Sequence, residues 1–137
     1  MYAILPLAAL LFSTFAQAEG LFVVAHSQVQ ANSISIDELT SIYLIQKSTW
    51  NDGVPVVPVN READSGTREE FSKKVFNRSP RELADYWNRL RFQGKLPPLV
   101  QTSDQAVVGF VSKVPGAIGY ISGLQAPTGV KVLAKLP

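Results

Sequence analysis

The sequence contains no cysteine and a single histidine, His26. Disulfide bonds, thiolate metal sites and metal sites built from several imidazoles are therefore excluded. We interpret His26 as a polar residue at the end of a strand and expect no metal and no cofactor. Without disulfides, the stability of the chain has to come from a packed apolar core, and a cysteine-free exported protein fits a bacterial periplasm.

The sequence also has little excess charge of either sign. Its 137 residues carry a formal net charge of +2, and the Lys and Arg residues are spread between Lys47 and Lys135 without clustering. A protein that binds nucleic acid usually presents a concentrated basic face. The charge pattern therefore indicates no nucleic-acid partner.

The N-terminal segment lacks charged side chains through Ala18 and has an apolar run over residues 4–12. It ends in the small-x-small pattern Ala16-Gln17-Ala18, immediately before Glu19. These features predict a signal peptide over residues 1–18, a domain over residues 19–137 and a periplasmic location. The run is too short for a membrane-spanning helix. The usual basic residue before the apolar run is absent, which fits a signal peptide badly, and an uncleaved anchor stays open as the alternative.

Hydrophobic periodicity predicts the order strand, helix, strand, three helices, strand, strand. The predicted strands cover residues 21–25, 54–59, 117–121 and 130–134. Three helices begin at capping-box patterns, at Ser35, Thr67 and Ser79, and a fourth begins between Thr102 and Gln105. Helices that alternate with short apolar strands favour an α/β domain with a layered, mixed sheet.

The two tryptophans are predicted to differ in burial. Trp87 lies on an apolar stripe of the third helix, so we expect it in the core. Trp50 lies beside a turn signal, Asn51-Asp52-Gly53, and we expect it to be partly exposed.

Residues 60–71 contain the strongest candidate for a binding site. A helix start offers free backbone N–H groups and a partial positive charge, and here it is preceded by a guanidinium. Arg61, Ser65, Gly66 and Thr67 together would form a cradle for an oxyanion such as phosphate. The alternative stays open that Thr67 and Glu70 form an ordinary helix cap.

No catalytic residue is predicted. Asp64 stands beside Ser65, but no second base is near them in the sequence. A nucleophilic serine needs an adjacent base that is oriented by a third group. We therefore expect a protein that is not an enzyme.

Several motifs occur in the same order as in a known family. They are Ile-Asp-Glu-Leu at 36–39, Ile-Tyr-Leu at 42–44, Thr-Trp-Asn-Asp-Gly at 49–53, Arg-x-x-x-Ser-Gly-Thr at 61–67 and Pro-Gly-Ala-Ile-Gly-Tyr at 115–120. Over most of residues 33–121 the chain resembles the phosphate-binding proteins of bacterial ABC transporters. The resemblance implies one lobe of a type II periplasmic binding protein, a small mixed-sheet α/β domain. It also implies that Arg61, Ser65, Gly66 and Thr67 contact phosphate.

The chain departs from this family in three places. Glu62 replaces a small polar residue, Ala63 replaces an acidic one, and the segment before Ser33 has no Gly/Ser-rich loop from a first lobe. Half of the ligand cage is therefore expected to be missing. A lone half-site predicts a millimolar dissociation constant for phosphate or weaker.

Two functions follow from these observations. The first is a periplasmic solute-binding domain for phosphate or a related oxyanion. The second is a non-enzymatic interaction or sensory module that keeps the fold without the ligand, as a homodimer or with a membrane-associated partner.

Overall fold

The computed structural model describes residues 2–4, 9–11 and 19–137. The cleavage site after Ala18 and most of the predicted signal peptide lie outside the described residues. Within the described part of the chain, no helix has both the length and the apolar character needed to cross a membrane.

Five strands and four α-helices form the domain. In chain order they are β1 Gly20–Ala25, α1 Ile36–Tyr43, β2 Val57–Arg61, α2 Gly66–Phe76, a short 3-10 turn at Arg81–Leu83 that leads into α3 Ala84–Phe92, β3 Leu99–Gln101, α4 Asp104–Lys113, β4 Ala117–Gly123 and β5 Lys131–Leu136.

The strands form one sheet in the order β3-β2-β4-β1-β5. Strand β2 runs parallel to both of its neighbours, whereas β1 runs antiparallel to both of its own. The predicted mixed-sheet α/β class is therefore confirmed. In this arrangement the carboxyl end of β2 lies next to the carboxyl end of β3, and α4 begins directly after β3.

The sheet is covered on both faces, which explains why its central strands are apolar without alternation. One face packs against α1 and α2, where the ring of Phe71 stacks on that of Tyr120 with centroids 3.8 Å apart. The other face packs against α4 through Val107 and Val111. Tyr43 ties the first layer to the sheet, because its hydroxyl is buried and hydrogen-bonds the carbonyls of Val59 and Ile118 at 2.9 and 3.3 Å.

The structure corrects the strand predictions. Strand β3 was not predicted, and it separates the last two of the three helices expected in succession. The second strand covers Val57–Arg61 and not the predicted residues 54–59. The first part of the predicted range contains Pro55, which forms only an isolated β-bridge with Thr49.

The two tryptophans also differ from expectation. Trp50 is buried, with 7% of its surface exposed, and its indole donates to the carbonyl of Gly116 at 2.9 Å. Trp87 is half-buried and lines a surface groove. The core therefore contains the tryptophan that was expected to be partly exposed.

Candidate functional site

Three elements meet around the candidate site. Arg61 is the last residue of β2, α2 begins five residues later at Gly66, and α4 begins at Asp104 after the neighbouring strand β3. Because β2 and β3 are parallel, the starts of α2 and α4 lie at the same edge of the sheet. The fold thus brings a guanidinium, a helix start and a carboxylate to one place.

The guanidinium of Arg61 is held by acidic groups. Its Nε and Nη2 atoms donate to the two carboxylate oxygens of Glu62, each at 3.0 Å. Its Nη1 atom donates to Asp104 at 2.5 Å, and Nη2 also reaches the carbonyl of Thr102 at 3.5 Å. Only 12% of the Arg61 side chain is exposed. Four of the five N–H groups of a guanidinium are therefore in use.

The hydrogen bonds between Arg61 and Glu62 shift the pKa of both groups. The hydrogen bond from Arg61 lowers the pKa of Glu62. The hydrogen bond to Glu62 in turn raises the pKa of Arg61, against a smaller opposing effect of burial. Both groups are therefore charged at neutral pH, and the guanidinium faces two carboxylates.

The start of α2 differs from the capping box predicted at Thr67. Ser65 is the N-cap, and its hydroxyl accepts the N–H of Arg68 at 3.2 Å. Glu70 does not reach back to the helix start but pairs with Lys74 at 3.0 Å. The helix begins two residues earlier than the capping-box pattern suggested, because Ser65 and Thr67, on either side of Gly66, can each serve as a cap.

The first amides of α2 remain available to a ligand. Among the described residues, the N–H groups of Gly66 and Thr67 donate to no acceptor. A Cβ atom added to Gly66 would meet no atom within 4 Å, so the space above this backbone is open. Packing therefore does not require glycine at this position, whereas a close approach of a ligand to the backbone would.

Thr67 and Arg61 are connected through residues that sequence analysis missed. The hydroxyl of Thr67 lies 3.4 Å from that of Ser122, which donates to the second carboxylate oxygen of Asp104 at 3.5 Å. Ser122 and Asp104 come from β4 and α4, far from the Arg61 motif in sequence. The only signal for Asp104 was its position in the first turn of a predicted helix.

A second missed group supports the backbone of Arg61. The amide oxygen of Asn60 accepts hydrogen bonds from the N–H of Arg61 and from the hydroxyl of Tyr120. Arg68 adds a bond from its guanidinium to the carbonyl of Arg61 at 3.1 Å. The main chain at the end of β2 is therefore fixed from both sides.

An oxyanion that binds here has to compete with the carboxylates that pair with Arg61. The open amides of α2 and the hydroxyls of Ser65 and Thr67 are donors of the kind that bind phosphate. The guanidinium that would add charge is already paired, so an anion has to displace Glu62 or Asp104 to reach it. In the described residues, no group of three or more metal-ligating side chains is found.

Comparison with known proteins identifies the family and similar folds. A family model described as PBP superfamily domain matches residues 16–128. One similar solved structure is a protein from Clostridium perfringens assigned as a phosphate ABC transporter substrate-binding protein, with bound phosphate. The likeness has 21% identity and a TM-score of 0.69, over 84% of this chain and 44% of that one.

Two further solved structures are similar. The ABC-type phosphate transport receptor from Vibrio cholerae shares 22% identity with a TM-score of 0.67, over 87% of this chain and 47% of that one. PstS from Borrelia burgdorferi shares 16% identity with a TM-score of 0.62, over 85% and 47%. The chain therefore spans less than half the length of the solved structures it matches.

Proposed function

This chain belongs to the family described as PBP superfamily domain. On that premise we propose that it is a non-enzymatic domain, similar to a solute-binding protein, that binds phosphate or a related oxyanion. The proposed ligand contacts are Arg61, Ser65, Gly66 and Thr67. The proposed location is the periplasm, after removal of a signal peptide over residues 1–18. Solved structures with the same fold include one with bound phosphate, which supports this choice of ligand.

One observation carries the proposal: the N–H groups of Gly66 and Thr67 have no acceptor among the described residues, and Thr67 is linked to Arg61 through Ser122 and Asp104. An anion at this position would meet the amides of Gly66 and Thr67, their neighbouring hydroxyls and the partial positive charge of the helix start. Glycine at position 66 fits such a ligand and has no packing reason to be there.

Binding to the isolated chain is expected to be weak. Three or four charge-assisted hydrogen bonds contribute about 1.5–3 kcal/mol each, and association costs at least about 4 kcal/mol. Displacing Glu62 or Asp104 from Arg61 reduces the remainder further. We therefore expect a dissociation constant that is millimolar or weaker, and a second subunit or another protein would be needed for tight binding.

Calorimetric titration of the purified chain with phosphate, sulfate and arsenate tests this proposal. We expect weak, saturable heat that Arg61→Ala removes and that Arg89→Ala, an exposed residue of α3 outside the site, leaves unchanged. Circular dichroism shows whether both variants are folded. The proposal is wrong if the chain gives no heat with any of the three anions and the Glu62→Gln variant, whose guanidinium is less blocked, gives none either.

A second candidate function is an interaction module, and a specific surface favours it. Four exposed apolar residues lie in β3 and in the segment before it, and we call them the β3 apolar patch. They are Phe92, Leu96, Leu99 and Val100, with exposed fractions of 93%, 81%, 51% and 52%. Leu99 and Val100, which are consecutive in the strand, lie on its two opposite faces. Strand β3 is also the end strand of the sheet, so one of its edges has no partner strand within the described residues. Exposed apolar side chains beside an open strand edge are typical of association surfaces.

We propose for this second function a homodimer, or a membrane-associated partner, that covers the β3 apolar patch. Light scattering across a concentration series should show a dimer that Leu96→Ser weakens. Leu124→Ser is the matched control, because Leu124 is 48% exposed in the segment between β4 and β5. A strict monomer at all concentrations, together with failure to crosslink to membrane fractions, would remove this candidate.

A further inference from the structure

A groove on the α3 side of the sheet is chemically different from the Arg61 site. Its volume is about 320 Å³, the size of a small-molecule site. It lies between the start of α2, the length of α3 and the loop that leads into β3. The residues that line it are Asn60, Arg68, Ala84, Trp87, Asn88, Arg91, Pro97, Pro98 and Val100.

The charged residues of this groove are all positive. Arg68 and Arg91 line it, and no carboxylate does. Within residues 19–137, neither of these two arginines takes part in an ion pair. Arg61, by contrast, is paired with two carboxylates. The groove therefore holds two guanidiniums without a carboxylate partner, of which Arg68 uses one N–H for the carbonyl of Arg61.

Asn60 adds a side-chain donor that has no partner among the described residues. Only 8% of the whole residue is exposed. Its side-chain oxygen accepts from the N–H of Arg61 and from the hydroxyl of Tyr120, so the Nδ2 group is the atom left over. Among the described residues no buried side-chain nitrogen or oxygen lacks a partner, so Nδ2 is in contact with solvent. Since Asn60 lines the groove, this donor is available to a ligand acceptor there.

The rest of the wall is apolar except for Asn88. The indole of Trp87 is half-buried and is held edge-on by the ring of Tyr86, with centroids 5.2 Å apart. Pro97, Pro98 and Val100 form the part of the wall next to β3. The rigid indole offers a flat apolar face at low entropic cost, and the prolines add apolar surface.

We propose that this groove binds a small organic anion that carries a flat apolar group. The anionic head lies between Arg68, Arg91 and the Nδ2 group of Asn60, and the flat body packs on Trp87 and the prolines. Inorganic phosphate satisfies only the head, so it is a poor ligand here. The groove is distinct from the side chain of Arg61, because Asn60 and Arg61 are consecutive in a strand and point to opposite faces.

Titration of the full chain with four probes tests both features of the ligand. Phenyl phosphate and benzoate carry the charge and the ring, inorganic phosphate carries only the charge, and benzyl alcohol carries only the ring. We expect phenyl phosphate or benzoate to saturate the chain at concentrations at least about tenfold lower than either single-feature probe. The comparison between phenyl phosphate and benzoate shows which anionic head the groove prefers.

Matched variants locate the binding. Arg91→Gln should weaken binding of the ring-bearing anions at least about fivefold, and Arg89→Gln, an exposed arginine of the same helix outside the lining, should not change it. Trp87→Leu keeps apolar volume but removes the flat ring, and should weaken the ring-bearing anions more than inorganic phosphate. Circular dichroism of each variant shows that the fold is retained.

Two results would overturn the proposal. One is that the ring-bearing anions bind no more tightly than inorganic phosphate. The other is that Arg89→Gln and Arg91→Gln weaken binding equally, which indicates diffuse attraction to α3. Arg61→Ala separates this site from the one proposed above, since it should remove the phosphate response and leave the phenyl phosphate response intact.

Discussion

Glu62 binds Arg61 through both of its carboxylate oxygens, the geometry in which a guanidinium also binds a phosphate. The acidic side chain therefore occupies guanidinium donors that the proposed oxyanion would use. A small polar residue at position 62, as in the proteins that the sequence resembles, could not do this. At the scale of single residues, the affinity of the site depends on how strongly Glu62 and Asp104 compete with the ligand.

Removing this competition should strengthen anion binding. We expect Glu62→Gln to tighten the binding of phosphate by about threefold to tenfold, because one carboxylate no longer has to leave the guanidinium. The measurement is a calorimetric titration at constant ionic strength. Glu69→Gln is the control, since it makes the same change in net charge but its carboxylate pairs with Lys73. Equal gains in both variants would mean that only net charge matters.

The same ion pair predicts a dependence of stability on acid. The hydrogen bond from Arg61 depresses the pKa of Glu62 in the folded state, so its contribution is present above the ordinary value of 4.5 and is lost as the pH falls through the depressed value. The free energy of unfolding should therefore fall more steeply on acidification in the wild type than in Glu62→Gln. Urea denaturation at several pH values from neutral to below 4.5 measures this free energy in both proteins. The same dependence on pH in both would show that Glu62 is not the group responsible.

At the scale of elements, the start of α2 depends on Ser65. We expect Ser65→Ala to lower the free energy of unfolding by about 1 kcal/mol, because the N–H of Arg68 loses its acceptor. Thr67→Ala should cost clearly less, since its hydroxyl makes only a long contact with Ser122. Chemical denaturation of both variants gives the comparison. A larger loss for Thr67→Ala would restore the cap that the sequence pattern suggested.

Local patterns predicted most of the elements but not all of their neighbours. The helices had capping hydroxyls and apolar stripes, and most strands had apolar runs, so their existence could be predicted. Strand β3 has only three residues after two prolines, and its pairing with β2 depends on contacts distant in sequence. The proposed ligand residues fall within one short stretch. Glu62, one partner of Arg61, lies in that stretch as well, but Asp104 is distant in sequence and for that reason could not be identified from it.

At the scale of the whole molecule, two buried tyrosines join the sheet to its helices. Tyr43 and Tyr120 lie with ring centroids 5.9 Å apart, and their hydroxyls bond to groups of β2 and β4. Burial raises the pKa of both phenols above the ordinary value of 10.0. The folded domain therefore keeps both protons at pH values where the unfolded chain loses them.

This difference predicts alkaline destabilisation. Between the ordinary and the raised pKa the unfolded state binds fewer protons, so the free energy of unfolding should decrease as the pH rises above about 10. Denaturation curves from neutral to alkaline pH measure the slope. Tyr43→Phe should be less stable at neutral pH, because two carbonyls lose a donor, but its alkaline slope should be shallower. A slope as steep as that of the wild type would show that other groups cause the effect. Tyr86→Phe, at a half-buried phenol, is the control.

The register of the sheet sets how the domain responds to tension. Strand β1 comes early in the domain and β5 comes last, yet they are antiparallel neighbours in which Leu21 faces Leu136. A load applied between these two ends therefore acts across the strands and not along them. Their hydrogen bonds would open one pair at a time, so the domain should yield to a small pulling force.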